Sequence, residues 1–133
     1  MATIANAQLT VTTHRPDDNA SVIVTCDIAF TEVEVNAMNM LGLQYTLSCQ
    51  VLNEYLLDTD PVLTYHDITF PTQPGYARRL EHVIFDEFVP MNSLHDRLFG
   101  KDKLEAEVRL KNMETGAEDD VKRTDELSVD LAA

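Results

Sequence analysis

Apolar and polar residues alternate along most of this chain, and a period of two is that of a β-strand with one buried face. The run from Leu43 to Val51 is the clearest. Leu43, Tyr45, Leu47, Cys49 and Val51 fall on one side; Gln44, Thr46, Ser48 and Gln50 fall on the other. Val22, Val24, Cys26, Ile28 and Phe30 make a second such face. Leu104, Ala106, Val108 and Leu110 make a third, set against Glu105, Glu107, Arg109 and Lys111. An opening strand starts by Ile4 and groups Ala5, Ala7, Leu9 and Val11. Val62 to Phe70 forms another, and the last runs from Val121 through Leu127, Val129 and Leu131. Leu80 to Val89 is apolar on both faces, at Val83, Ile84, Phe85 and Phe88, which predicts a central strand.

Turn-forming residues separate these runs. Pro presets φ, and Asp and Asn bond their own backbone, so Arg15 to Asn19, Asp58 to Pro61 and Pro71 to Gly75 read as turns. Met113 to Asp120, which contains Gly116, reads as another. After Phe30 the apolar phase shifts to Val33 and Val35, and a bulge or bend near Thr31-Glu32 would absorb the extra residue. Asn36 to Gly42 is then an irregular, oddly apolar loop. One short helix is expected between the fifth and sixth strands, capped by Ser93, with Leu94 and Leu98 on one face and Gly100 at its end.

About seven short strands with regular turns predict an all-β fold, an antiparallel β-sandwich of immunoglobulin-like or C2-like arrangement. Residues 1–133 would form one domain, and a small barrel is the alternative. The sequence hallmarks of immunoglobulin domains are missing. There is no Trp, and Cys26 and Cys49 fall on consecutive strands, not on the distant pair those domains cross-link.

Charge restricts the partners. Ten Lys and Arg against 23 Asp and Glu leave a formal net charge of -13. Nucleic acid and anionic membrane are disfavoured, since both are bound by neutralising phosphate with Lys and Arg. A basic protein partner or a cation fits better. Met1 to Gln8 lacks the basic and apolar regions of a signal peptide. The chain is therefore read as cytoplasmic, with both cysteines reduced and acting as small core hydrophobes.

If each strand crosses the whole domain, successive connections alternate between its two ends. The first, third and fifth would bring Asp17, Asp18, Asp58, Asp60, Asp96 and Asp102 to one rim. The second, fourth and sixth would bring Met38, Met40, Leu41, Pro71, Pro74 and Glu118 to Asp120 to the other. Carboxylates from several loops can supply the oxygen ligands of calcium, so Asp17, Asp18, Asp58 and Asp60 form a candidate cation rim. Turn Asp residues serving their own hydrogen bonds explain the same pattern. Met side chains suit adaptable contact surfaces, so Val33, Val35, Met38, Met40 and Leu41 form a candidate protein-binding patch. The alternative is that they fold back and plug the end of the sandwich.

No Gly-x-Ser-x-Gly, Gly-rich phosphate loop or His-Glu-x-x-His occurs, and His14, His66, His82 and His95 stand singly. The expected function is a non-enzymatic protein-binding or assembly domain, acting through the Met segment, an edge strand or the acidic rim. It has no cofactor and a protein partner or a second copy as ligand. A calcium-binding sandwich module is the second reading, and an enzyme with residues converging from separate strands the third.

Overall fold

The computed structural model describes residues 1–54, 61–95 and 101–131. In chain order the elements are β1 (Thr3–His14), a 3-10 turn (Arg15–Asp17), β2 (Asn19–Ala29), α1 (Glu32–Leu41) and β3 (Tyr45–Asn53). They continue with β4 (Leu63–Thr64), β5 (Ile68–Phe70), β6 (Leu80–Pro90) and α2 (Met91–Leu94). β7 (Asp102–Asn112), β8 (Glu118–Arg123) and β9 (Leu127–Val129) complete the chain.

The strands form two antiparallel sheets. One has the order β1-β2-β6. In the other, β3 pairs with β7 at its centre. β4 and β5 both pair with β3, and β8 and β9 both pair with β7, so each outer position is filled by one interrupted strand. Counting each interrupted strand once, the second sheet is four strands wide. The second and fifth long strands pair in one sheet and the third and sixth in the other, which is the immunoglobulin-like arrangement.

Alternation explains what is buried. Val22, Val24, Cys26 and Ile28 of β2 meet Tyr45, Leu47, Cys49 and Val51 of β3, with Leu104, Ala106, Val108 and Leu110 of β7, in one core cluster. Cys26 and Cys49 are free and buried. Burial, helped by the Asp27 charge, pushes the Cys26 thiol up to about 11. Burial pushes Cys49 up to about 12. Both stay protonated and unreactive at neutral pH.

The structure corrects several local expectations. The shift of phase after Phe30 is the start of a helix, not a strand bulge. Thr31 and Glu34 form a capping box: the Thr31 N–H donates to Glu34 Oε1 at 2.8 Å, and the Glu34 N–H donates to Thr31 Oγ1 at 3.2 Å. Gly42, at φ 74°, closes α1 in the left-handed conformation that favours glycine. The bulge lies instead in β1, where the register slips between Ala5 and Gln8 and Asn6 takes φ 55°. Ile4 is therefore buried while Ala5 is exposed. The expected 62–70 strand is broken into β4 and β5, and β8 begins at Glu118, inside the expected turn.

The second helix starts at Met91 behind Pro90, and the Ser93 hydroxyl donates to the Pro90 carbonyl without capping the helix. Leu98 and Gly100 lie outside the described residues. β6, expected at a sheet centre, is an edge strand: among the described residues it pairs only with β2. Among the described residues no helix is long and apolar enough to cross a membrane.

The outer face of the wider sheet carries a continuous chain of ion pairs from Glu105 to Glu118. Arg123 bonds Glu105 at 2.7 Å and Glu107 at 2.9 Å, and Arg109 bonds Glu107 and Glu118 at 2.7 Å each. Burial pushes the Glu107 carboxyl up. The hydrogen bonds and charges of Arg109 and Arg123 outweigh that and hold it below the usual carboxylate range. A depressed folded pKa stabilises the fold above the unfolded value of about 4.3, and the contribution fades as pH falls through the folded pKa. Glu107→Gln is therefore expected to lower the urea midpoint at neutral pH. The gap to the wild type should narrow as pH falls below the unfolded value and close once pH has passed through the lowered folded pKa. A gap independent of pH would show that the Glu107 charge does not stabilise the sheet.

Candidate functional site

The two ends of the sandwich differ as chain direction requires. Asp17 and Asp18 sit where β1 turns into β2, and the Met91 N–H donates to the Asp18 carbonyl at 2.8 Å, bringing α2 to the same end. Asp17, Asp18, Met91, Asn92, His95 and Leu131 line a cleft of about 290 Å³ there. Asp102, at the start of β7, is fully buried beneath this end. Its Oδ1 accepts from Asn53 Nδ2 at 3.0 Å, and its Oδ2 lies 2.5 Å from His95 Nδ1. Asn53 Nδ2 also donates to the Leu94 carbonyl at 2.9 Å. These bonds tie the end of β3, the start of β7 and α2 together.

Of the proposed cation rim, Asp17 and Asp18 are at this end and exposed. Asp58 and Asp60 lie outside the described residues, as does Asp96. Among the described residues no three His, Cys, Asp or Glu side chains are grouped as metal ligands would be.

The opposite end carries α1. Two features fix its pose. The Tyr45 hydroxyl donates to Glu34 Oε2 at 2.8 Å, and Asn39 Oδ1 accepts from the Ala77 N–H at 2.7 Å. Partial burial pushes the Glu34 carboxyl up, but its bonds from Thr31 and Tyr45 hold it below the ordinary value. On a helix of 3.6 residues per turn, Val35 and Met38 then turn toward the core. Met38 is 3% exposed, and Val35 packs at the core margin. Val33, Met40 and Leu41 point away, at 77%, 80% and 83% exposure.

The expected patch is thus split. Met38 and Val35 plug the sandwich, while Val33, Met40 and Leu41 face outward at i, i+7 and i+8, with half-buried Ala37 between them at i+4. Leu41, Leu43 and Met113 border a depression of about 390 Å³ beside the helix end. Met113 and Tyr76 add exposed apolar surface in neighbouring loops.

His82, like His95, serves a local pair. His82 is exposed on β6, with Nδ1 2.5 Å from Asp27 Oδ1; Asn6 Nδ2 donates to the other Asp27 oxygen at 2.8 Å. The Asn6 and His82 hydrogen bonds hold the Asp27 carboxyl below its usual range. Sequence reading missed the outward face of β6. Leu80, Ile84 and Phe88 recur at every fourth residue there, and Ile84 and Phe88 are 68% and 54% exposed. The signal was available, since apolarity on both faces marks either a central strand or an edge strand with a second contact face. Compared with protein-family models and with curated proteins, the chain matches none.

Proposed function

We propose that this chain is a protein-binding domain that presents the outer face of α1 to an apolar groove on a partner protein. One observation carries the reading: α1 is apolar on two faces, and only one of them is used by the fold. A surface helix normally carries one apolar stripe, turned toward the core. Val33, Ala37, Met40 and Leu41 have the i, i+4, i+7, i+8 spacing of helix-in-groove recognition. Unbranched Met40 can adapt its shape to the groove. The short connections at the capping box and at Gly42 hold the helix rigidly, so little ordering cost falls on binding. At a net charge of -13 the chain repels its own copies, which favours a different protein as the occupant.

The test is capture from a lysate of the source organism on immobilised wild type and on the Val33→Glu/Met40→Glu/Leu41→Glu variant. Retention of a defined protein that the variant loses, at an unchanged melting temperature, supports the reading. A wild type that sedimented as a dimer, with a monomeric variant, would assign α1 to self-association instead. Equal retention by both proteins would overturn it.

A further inference from the structure

We propose that the open edge of β6 accepts an extended segment of a second protein as an added antiparallel strand, and that this segment carries Lys or Arg residues spaced six apart. The surface is separate from the outer face of α1 and does not rest on that reading.

Strand edges are normally blunted against pairing. Among the described residues, three of the four sheet edges are shortened or broken. β4, β5, β8 and β9 are short, and they interrupt both sides of the wider sheet. β1 carries a bulge, and its Ile4 N–H is taken by Asp120 Oδ2 at 2.8 Å. Among the described residues β6 is neither short nor bulged, and its guard is acidic: Glu81 and Glu87 on the core-side face and Asp86 on the outer face. It runs eleven residues in unbroken register with β2, from Ala29↔Leu80 to Asn19↔Pro90, with no bulge and no Pro before its last residue.

Lys is the usual edge guard, and β6 contains no Lys or Arg; neither do β1 and β2. The side of β6 away from β2, which pairs with no other strand among the described residues, is bordered by exposed Leu80, Ile84 and Phe88 on the outer face. A strand lying there would gain backbone hydrogen bonds along the edge and cover these side chains, the combination that defines strand addition.

Charge selects the occupant. β6 carries Glu81, Asp86 and Glu87, and on an edge strand each stands beside the place an added strand would take. A second β6 would bring three more carboxylates and no Lys or Arg to the joint, so self-pairing is opposed. A basic strand is favoured by the same groups. Glu81 and Glu87 share one face six residues apart, and Ile84 and Phe88 share the other face four apart. The complementary segment therefore has basic residues six apart. Opposite Ile84 and Phe88 it has apolar residues on the alternate face.

The experiment uses the whole chain and two synthetic peptides of about ten residues. Both consist of Thr and Val, with Ile placed opposite Ile84 and Phe88; one has Lys opposite Glu81 and Glu87, the other has Glu. Binding is read by fluorescence anisotropy, and its location by amide chemical shifts. The Lys peptide is expected to shift amides of β6 and β2, and to bind about tenfold more tightly than the Glu peptide. Glu81→Lys/Glu87→Lys should reverse the preference, and Ile84→Lys should weaken both. The Val33→Glu/Met40→Glu/Leu41→Glu variant should bind the Lys peptide as the wild type does.

Equal affinity for the two peptides, no binding of either, or shifts confined to other elements would overturn the proposal. So would a wild-type dimer that Ile84→Lys dissolves, which would give the edge to a second copy.

Discussion

Met38→Glu is expected to unfold the protein or come close to it, while Met40→Glu, two positions on, is expected to leave its melting temperature unchanged. Met38 is buried against the core at the α1 end. Glutamate there loses the packing of a buried thioether, which costs about 2–5 kcal/mol. It also places a carboxylate where water cannot reach it, adding several kcal/mol unless the group stays protonated. Natural domains hold only about 5–15 kcal/mol in reserve. Met40 is exposed and contributes no such packing, so a polar replacement should change stability by no more than about 0.5 kcal/mol. Thermal melts followed by circular dichroism check both. Equal losses at the two positions would mean that Met40 is also held by the fold, and α1 would then have no spare face.

Asp102→Ala is the second large effect. The carboxylate is fully buried, accepts from Asn53 and pairs with His95 where three elements meet. Removing one partner of a buried polar cluster leaves desolvated groups behind and costs about 1–3 kcal/mol, to which the lost packing adds. Asp102→Asn keeps the volume and an acceptor for Asn53, so it should cost about half as much. Urea denaturation of the two variants separates the roles. A wild-type midpoint for Asp102→Ala would show that the cluster does not hold the end of the sandwich.

The sandwich was legible in the sequence because its core strands alternate cleanly. Leu47, Cys49 and Val51 in β3, and Leu104 to Leu110 in β7, are buried at every second residue as their pattern requires. Among the described residues, the separation of Asp17 and Asp18 from the α1 segment was legible too, because it depends only on strands reversing direction. The helix was misread for a physical reason. Glu32-Val33-Glu34-Val35 alternates like a strand, yet Thr31 and Glu34 cap each other, and one local bond pair outweighs four residues of alternation. Gly42 was the matching stop signal.

The consequence reaches the candidate site. As a loop, the Met segment either covers the end or protrudes from it. As a helix it does both, with Met38 on one face and Met40 on the other. The misplacement of β6 has a similar origin, because apolar residues on both faces do not reveal whether the second face meets another sheet or solvent. The pairing of His95 with Asp102 and Asn53 joins residues from separate strands, and no short motif announces it.

The most direct test of the protein-binding account is a photo-crosslinking amino acid placed at position 40, and in parallel at position 48 on the polar outer face of β3. Each protein is irradiated in a lysate of the source organism, and the adducts are identified by mass. The account predicts one dominant protein adduct from position 40 that is missing from position 48. No adduct from position 40, or the same adducts from both positions, would contradict it.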